Sequence, residues 1–283
     1  MNNFITRALT GIIFVAVLVG SIIYSPFSFG GLFFVVTILA VSEFCHIVNA
    51  QKGVQVNTLI TSMAGGYLFL AFFCYISGLV PTGGIFLPYL LSIIYLLVAE
   101  LYLKRENPLA NWAYTMMSQL YIALPFSLLS VLAFNTDPAH PFITVYRFIF
   151  PLSVFIFLWA SDSGAYCVGS LLHKKFPAKL FPRISPKKSW VGSIGGGLIA
   201  MGAAAVIGSF DNSLTLPQWM GFALVVTVFG TWGDLVESLI KRTLGIKDSG
   251  NILPGHGGML DRFDSSLLAI PASVAYLYTL VMM

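Results

Sequence analysis

The chain has 283 residues, of which 57% are apolar and only 9% are charged. Soluble domains carry roughly 25% charged residues, so this composition excludes an ordinary soluble protein, and the mean hydropathy of +0.87 predicts a protein of the lipid bilayer. The net charge of +4 gives no reason to expect nucleic acid as a partner. The three cysteines all lie in apolar stretches and are odd in number, which argues against a disulfide framework.

Nine apolar segments are long enough to cross a bilayer, which requires about 20 residues per helix. They predict an all-α polytopic membrane protein with spans at 8–25, 29–47, 57–79, 85–103, 110–134, 147–170, 190–209, 216–240 and 265–283. The first segment has no obvious signal-peptide cleavage site, so we expect it to remain as a membrane helix. We divide the chain into an N-terminal helix bundle, 1–140, and a catalytic region, 141–283, which contains two long polar loops at 171–189 and 241–264.

The basic residues fall on one side of the predicted membrane. If the N-terminus lies in the cytoplasm and the spans alternate, every lysine and arginine except Arg147 lies in a cytoplasmic segment. This distribution follows the positive-inside rule. We therefore expect both long loops, and a polar active-site cavity, to face the cytoplasm from a bacterial inner membrane.

Polar side chains lie on one face of the helix predicted at 216–240 and continue just past its end. Asp234, Glu237, Ser238 and Lys241 follow the spacing i, i+3, i+4 and i+7, which places them on the same side. A charged side chain at the centre of a bilayer costs about 2.5–3.5 kcal/mol, so this face is expected to line protein or water. A structural ion pair, of Asp234 with Lys241 or with a neighbouring helix, is the alternative interpretation.

A loop rich in proline and glycine follows this helix, and Asp261 and Asp264 come directly after the loop. Such a run cannot be helix interior, and its backbone amides can approach an anion closely. Asp234, Asp261 and Asp264 together predict a Mg²⁺ site, with Mn²⁺ as a substitute, because hard divalent cations prefer oxygen ligands. For Asp261 and Asp264 alone, capping of the last helix is the alternative.

A second polar cluster precedes the helix predicted at 190–209. Its basic and hydroxyl groups could hold a triphosphate, since helix N-termini favour anions; attraction of the lysines to anionic lipid head groups is the alternative. Gly192 and Gly196 form a GxxxG pattern, which indicates close helix packing. His256 could act as a general base or simply hydrogen-bond within its loop. Lys241 and Arg242 could bind phosphate or anchor the helix in the cytoplasm.

The stretch from Ser238 to Asp264 resembles the diagnostic motif of the phosphatidate cytidylyltransferases, also called CDP-diacylglycerol synthases. The matching residues are Ser238, Ile240, Lys241, Arg242, Lys247, Asp248, Gly250, the run from Leu253 to Met259, and the run from Asp261 to Asp264. The segment from Ser185 to Trp190 resembles the same family. The resemblance implies the conversion of CTP and phosphatidate to CDP-diacylglycerol and pyrophosphate with Mg²⁺, a homodimer in the membrane lipid, and a second, monovalent cation such as K⁺.

The residues and the resemblance together predict three groups of site residues. The catalytic group is Asp234, Lys241, Arg242, Asp261 and Asp264, whose three aspartates are the metal ligands. The substrate-binding group is Ser185, Lys187, Lys188, Ser189, Ser238, Lys247, His256, Gly257, Gly258 and Arg262. The supporting group is Asp162, Asp248 and Glu237.

Two other functions are compatible with some of these features. A CTP-dependent polyprenol kinase would use the same nucleotide on another lipid. An ion-coupled transporter also places carboxylates in apolar helices, but this sequence shows no inverted repeat, and its polar residues gather at helix ends and in two loops.

Overall fold

The computed structural model describes residues 3–137, 140–172, 174–252, 255 and 257–282, and it is mostly helical. The helices are α1 (Asn3–Tyr24), α2 (Pro26–Asn49), α3 (Thr58–Ile76), α4 (Leu87–Leu103), α5 (Pro108–Ser118), α6 (Leu124–Ala133), α7 (Ile149–Leu172), α8 (Trp190–Phe210), α9 (Leu216–Thr243), α10 (Leu260–Phe263) and α11 (Ser266–Met282). A 3₁₀ turn at Gly83–Phe86 precedes α4, and a π-helical turn at Gln119–Ala123 joins α5 to α6.

Seven helical segments in the described part of the chain are long and apolar enough to cross a membrane. They are Pro26–Asn49, Thr58–Ile76, Gly83–Leu103, Pro108–Ala133, Ile149–Leu172, Trp190–Phe210 and Leu216–Thr243. The chain is therefore a multi-pass membrane protein. The apolar part of α1 (Ala8–Tyr24) and α11, with 17 residues, are shorter. The count of nine spans and the orientation of the N-terminus stay predictions.

Two short antiparallel hairpins interrupt the helices, which the prediction of an all-α fold did not include. Strand β1 (Phe134–Asp137) pairs with β2 (His140–Tyr146), and β3 (Lys179–Phe181) pairs with β4 (Ser185–Ser189). Strands of three to seven residues give little alternating pattern in a sequence. The second hairpin lies in the last part of the predicted loop 171–189, just before α8.

Side-chain caps determine where several helices begin. The Ser25 hydroxyl accepts a hydrogen bond from Ser28 N at 3.1 Å, and Pro26 occupies the first helical position of α2. The side-chain oxygen Oδ1 of Asn57 accepts from Ile60 N at 3.1 Å at the start of α3. These residues satisfy amides that have no partner in the first helical turn, so the apolar sequence divides into separate helices at these points.

The chain forms two compact units. The first consists of Met1–Phe148 and Ile246–Phe263, and the second of Ile149–Gly245 and Asp264–Met283. The division predicted from the sequence, at 1–140 and 141–283, stays a prediction, and the described residues of 246–263 belong to the first unit.

Aromatic side chains form the core of the first unit. The rings of Phe33 and Phe126 lie 6.3 Å and 5.3 Å from that of Phe263, and all three side chains are almost completely buried. Phe14 contacts Phe263 at 5.7 Å from the other side. Phe263 therefore anchors the C-terminal end of the segment 246–263 in the N-terminal helices.

A buried ion-pair network connects α4 to the start of α5 in the first unit. Arg105 Nη1 lies 2.6 Å from Glu100 Oε1, and Asn111 Nδ2 donates to Glu100 Oε2 at 3.0 Å. The side-chain oxygen Oδ1 of Asn111 in turn accepts from Gln55 N at 2.8 Å. Both carboxylate oxygens of Glu100 are thus satisfied in a place that water hardly reaches.

We expect the substitution Glu100→Gln to lower the free energy of unfolding by about 2 kcal/mol, because it leaves the partly buried Arg105 without its counter-charge. Glutamine keeps the shape of the side chain, so packing is preserved. The thermal unfolding of the purified protein in detergent measures the effect as a lower midpoint temperature. An unchanged midpoint would show that this network does not stabilise the fold.

The second unit depends on very close packing of α7 and α8. A Cβ atom added at Gly164 would lie 3.0 Å from Gly196 Cα, and one at Gly192 would lie 2.9 Å from the carbonyl oxygen of Ala165. Only glycine permits this approach of two helix backbones. The prediction that the GxxxG pattern serves helix packing is confirmed.

Candidate active site

A cavity of about 480 Å³ lies in the second unit, where the last turns of α7 face β4 and the start of α8. Its polar and charged lining residues include Asp162, Lys179, Lys187, Lys188, Ser189 and Ser193. Three lysines and one carboxylate around one cavity suit a polyanionic ligand. The structure therefore brings together the supporting residue Asp162 and the polar segment before α8.

Asp234 lies on α9 and is held by two side chains. Lys188 Nζ forms an ion pair with Asp234 Oδ2, and Ser238 Oγ donates to Asp234 Oδ1 at 3.2 Å. The alternative in which Lys241 pairs with Asp234 is thus not what the structure shows. Lys188 comes from β4, so Asp234 connects the polar face of α9 to the wall of the cavity.

Lys241 pairs instead with Glu237 one helical turn earlier. Lys241 Nζ lies 2.5 Å from Glu237 Oε2, and Glu237 is completely buried. The pair keeps the lysine side chain along the polar face of α9. Arg242, the next residue, is exposed at the end of the helix.

Asp264 lies between α10 and α11, close to the backbone of α9. A Cβ atom added at Gly233 would lie 2.7 Å from the carbonyl oxygen of Asp264, so glycine is needed for this approach. Asp264 Oδ1 accepts from Ser265 N at 2.5 Å. Burial, with the negative charge of Asp234 as the second cause, raises the pKa of Asp264 to about 7.

The carboxylates of the second unit suit a hard divalent cation in their chemistry. Burial is the largest cause of the raised pKa of Asp264, the negative charges of Asp234 and Asp162 raise it further, and Lys241 lowers it. Lys188 supplies the positive charge at Asp234 in this structure. No group of three or more His, Cys, Asp or Glu side chains within the described ranges is arranged to hold a metal. A cation would therefore need water or substrate oxygens as further ligands, which Mg²⁺ commonly has.

The predicted substrate-binding residues before α8 occupy different positions. Ser189 is the N-cap of α8, and its hydroxyl accepts from Gly192 N at 3.2 Å. Lys187 is exposed and lines the cavity, and Ser185 is half-buried at the start of β4. The N-terminus of α8 thus lies at the cavity, and the Ser189 hydroxyl there is already hydrogen-bonded to Gly192 N.

Asp261 lies in the first unit, where its side chain closes a glycine-rich turn. Asp261 Oδ2 accepts from Ser249 N at 2.9 Å and from Gly258 N at 2.8 Å. A Cβ atom added at Gly257, whose φ is +82°, would lie 2.6 Å from the same oxygen. Glycine at positions 257 and 258 is therefore explained by the contact with Asp261, in addition to the predicted approach to an anion.

The other predicted residues of this segment are at the surface or outside the described residues. Lys247, Asp248 and Arg262 are exposed. His256, with Leu253 and Pro254 of the same motif, lies outside the described residues. The assignments of all predicted site residues to substrate or metal stay predictions.

Sequence reasoning missed Glu43, which lies in α2. Its carboxylate accepts hydrogen bonds from Ser249 Oγ and Met259 N, and it is almost completely buried. A signal was available, because a carboxylate within an apolar span is rare and indicates function.

Comparison with known proteins gives matches along the whole chain. The cytidylyltransferase family matches residues 5–280. A phosphatidate cytidylyltransferase of Haemophilus influenzae is 30% identical over 299 residues, which cover 98% of this chain and 99% of that protein. One of Staphylococcus haemolyticus is 38% identical over 170 residues, 59% of this chain and 60% of that protein. One of Bacillus subtilis is 49% identical over 120 residues, 41% of this chain and 42% of that protein.

Proposed function

Because the chain belongs to the cytidylyltransferase family, we propose that it is a phosphatidate cytidylyltransferase, which converts CTP and phosphatidate to CDP-diacylglycerol and pyrophosphate. The observation that carries this proposal is the full-length similarity to an enzyme of that name. The cavity supports it, since its lysines suit a triphosphate and it belongs to a multi-pass membrane protein whose substrate would be a lipid.

The reaction needs charge neutralisation and alignment more than covalent help from the protein. An oxygen of the phosphatidate phosphate attacks the α-phosphorus of CTP, a new P–O–P bond forms, and the bond to the β-phosphate breaks as pyrophosphate leaves. The attacking oxygen is already ionised, so no protein nucleophile is required. The side chains of this chain therefore act by holding two anionic substrates together.

Four basic residues of the second unit are suited to this role. Lys187 and Lys188 line the cavity, and Lys241 and Arg242 lie in the last turn of α9. They would offset negative charge on CTP, on phosphatidate and on the leaving pyrophosphate. Preorganised positive charge of this kind is effective because it needs no rearrangement as the reaction proceeds.

Asp234, Asp261 and Asp264 are proposed to hold Mg²⁺, or Mn²⁺ in its place. A bound divalent cation would neutralise the phosphates of CTP and fix their position. Asp162, in the wall of the same cavity, is proposed to support this site, either by hydrogen bonding or by holding a monovalent cation such as K⁺.

The predicted orientation places the cavity on the cytoplasmic side of a bacterial inner membrane, where CTP is present. A homodimer is proposed from the family resemblance. Both points rest on the sequence: the first on the distribution of basic residues, and the second on the motif.

Label tracing with two forms of CTP tests the reaction. The purified protein is given phosphatidate, Mg²⁺ and CTP that is labelled either in cytidine or in the γ-phosphate. We expect label from cytidine in the lipid and label from the γ-phosphate in pyrophosphate. Transfer of only the γ-phosphate to lipid would identify a kinase and refute the proposal, as would the absence of any labelled lipid.

We expect the requirement for Mg²⁺ to rise as the pH falls below 7. Asp264 has its pKa raised to about 7, so protons compete with the cation for this carboxylate, and the half-saturating Mg²⁺ concentration should rise up to about tenfold per pH unit. Initial rates measured at several Mg²⁺ concentrations between pH 5.5 and pH 8 give this value. A Mg²⁺ requirement that does not change over this range would contradict the role of Asp264.

A further inference from the structure

Glu43 is a carboxylate within an apolar helix, and only 6% of its surface is exposed. A buried charge is unfavourable unless it is well hydrogen-bonded. The partners of Glu43 come from the segment that follows α9, 206 positions later in the chain in the case of Ser249. This long-range contact joins α2 to the motif segment within the first unit.

Both oxygens of the Glu43 carboxylate accept hydrogen bonds from the segment 249–259. Ser249 Oγ donates to Oε1, and Met259 N donates to Oε2 at 2.7 Å. A Cβ atom added at Gly250 would lie 2.9 Å from Glu43 Cδ, and one at Gly258 would overlap the carboxylate. The two glycines of the motif therefore make room for this side chain.

The residues that bind Glu43 also hold Asp261. Ser249 donates to Glu43 through its hydroxyl and to Asp261 Oδ2 through its backbone N–H, at 2.9 Å. Gly258, whose neighbour Met259 donates to Glu43, donates to Asp261 Oδ2 at 2.8 Å. The two carboxylates are thus connected through one short segment of backbone.

The other side of Asp261 is anchored independently. Phe263, two residues later, packs against Phe33 and Phe126 in the core of the first unit. Asp261 therefore lies between an aromatic anchor and the hydrogen bonds of Glu43. Loss of the Glu43 contacts would therefore loosen the residues that hold Asp261, while Phe263 would stay packed in the core.

We propose that Glu43 is a positioning residue for the transfer reaction: it fixes Ser249 and Met259, and thereby the backbone groups that hold the carboxylate of Asp261. This inference rests on the proposed function, in which Asp261 is one of the three carboxylates that hold the metal. Glu43 acts through Asp261 and does not itself contact a substrate. The two donors require a hydrogen-bond acceptor at each oxygen position of Glu43. A carboxylate has two acceptor oxygens, whereas the amide of glutamine has only one.

The substitution Glu43→Gln tests the inference with little change of shape. Its NH₂ group cannot accept a hydrogen bond from Ser249 Oγ or Met259 N. In the protein treated with EDTA, we expect hydrogen exchange in the segment 249–262 to become about tenfold faster, because one of its two anchors is lost. In turnover assays, the half-saturating Mg²⁺ concentration should rise about tenfold, as is typical for residues that orient a metal ligand, while kcat at saturating Mg²⁺ stays within about twofold.

Glu100→Gln is the matched control, because Glu100 is also a buried glutamate of the first unit with two hydrogen-bonded oxygens. This variant should lower thermal stability without changing exchange in 249–262 or the Mg²⁺ requirement. A third variant combines Glu43→Gln with Asp261→Asn. It should require no more Mg²⁺ than Asp261→Asn alone, since the two residues act through the same carboxylate.

Three results would overturn the inference: unchanged exchange in 249–262, faster exchange with an unchanged Mg²⁺ requirement, or additive effects in the double variant. If Glu43→Gln does not fold, Ser249→Ala removes one donor to Glu43, and about threefold changes of the same sign are expected. If the wild-type protein forms no lipid-linked cytidine, the proposed function fails and the positioning role fails with it, whereas the exchange measurement still decides whether Glu43 holds the segment.

Discussion

The substitution Asp234→Asn is expected to lower kcat/KM for CTP about 10³-fold without unfolding the protein, a loss of the size seen when a preorganised charge is removed from an active site. Asparagine keeps the size of the side chain and can still accept from Ser238 Oγ. It loses the negative charge that pairs with Lys188 and that a divalent cation would require. The variant therefore separates the charge of Asp234 from its packing.

Turnover of labelled CTP by the purified variant, beside a thermal unfolding curve, measures this effect. Asp211→Asn is the control, because the Asp211 carboxylate follows α8 in the second unit, accepts from the backbone N–H of Ser213 at 2.8 Å and is not one of the predicted site residues. Its kcat/KM should equal that of the wild type. A value for Asp234→Asn within threefold of the wild type would remove Asp234 from the site.

The substitution Asp264→Asn is expected to lower kcat about 10²- to 10³-fold and to abolish the pH dependence of the Mg²⁺ requirement. The wild-type carboxyl has a pKa of about 7, caused by burial and then by Asp234, so its charge changes within the assay range. An amide has no such transition. Residue 264 approaches Gly233 with its backbone, which the substitution does not alter, so this close contact is kept.

Residual turnover of Asp264→Asn, measured between pH 5.5 and pH 8 at several Mg²⁺ concentrations, tests this prediction. The residual rate should show a Mg²⁺ requirement that is nearly independent of pH. A variant that keeps the wild-type pH dependence would show that another group titrates. If Asp264→Asn turned over at pH 8 as fast as the wild type, the charge of Asp264 would not be needed.

The sequence predicts the helices well because apolar runs of bilayer length have few alternatives. Each of the seven apolar helical segments of the structure overlaps a predicted span, with ends that differ by up to three residues, and the GxxxG pattern correctly indicates close packing of α8. The polar face of α9 was predictable for the same reason, since helical spacing alone places Glu237 and Lys241 together. Features that depend on local periodicity could thus be predicted from the sequence.

Features that depend on partners far away in the sequence could not be predicted. Spacing along α9 cannot show that Asp234 pairs with Lys188, which lies on a hairpin too short to be recognised. The sequence also gives no indication that the segment 246–263 packs with the N-terminal helices. That arrangement depends on the contacts of Glu43 and Phe263, which no local pattern encodes. Glu43 could have been noticed only as an isolated charge in an apolar span.

Binding of Mn²⁺ measured by electron paramagnetic resonance tests most directly whether Asp234 and Asp264 hold the cation of the transfer reaction. The signal of free Mn²⁺ is titrated with the wild-type protein and with the double variant Asp234→Asn, Asp264→Asn, each with and without CTP. We expect Mn²⁺ binding by the wild type that CTP strengthens, and a loss of this binding in the double variant. Equal binding of Mn²⁺ by both proteins in the presence of CTP would contradict this expectation.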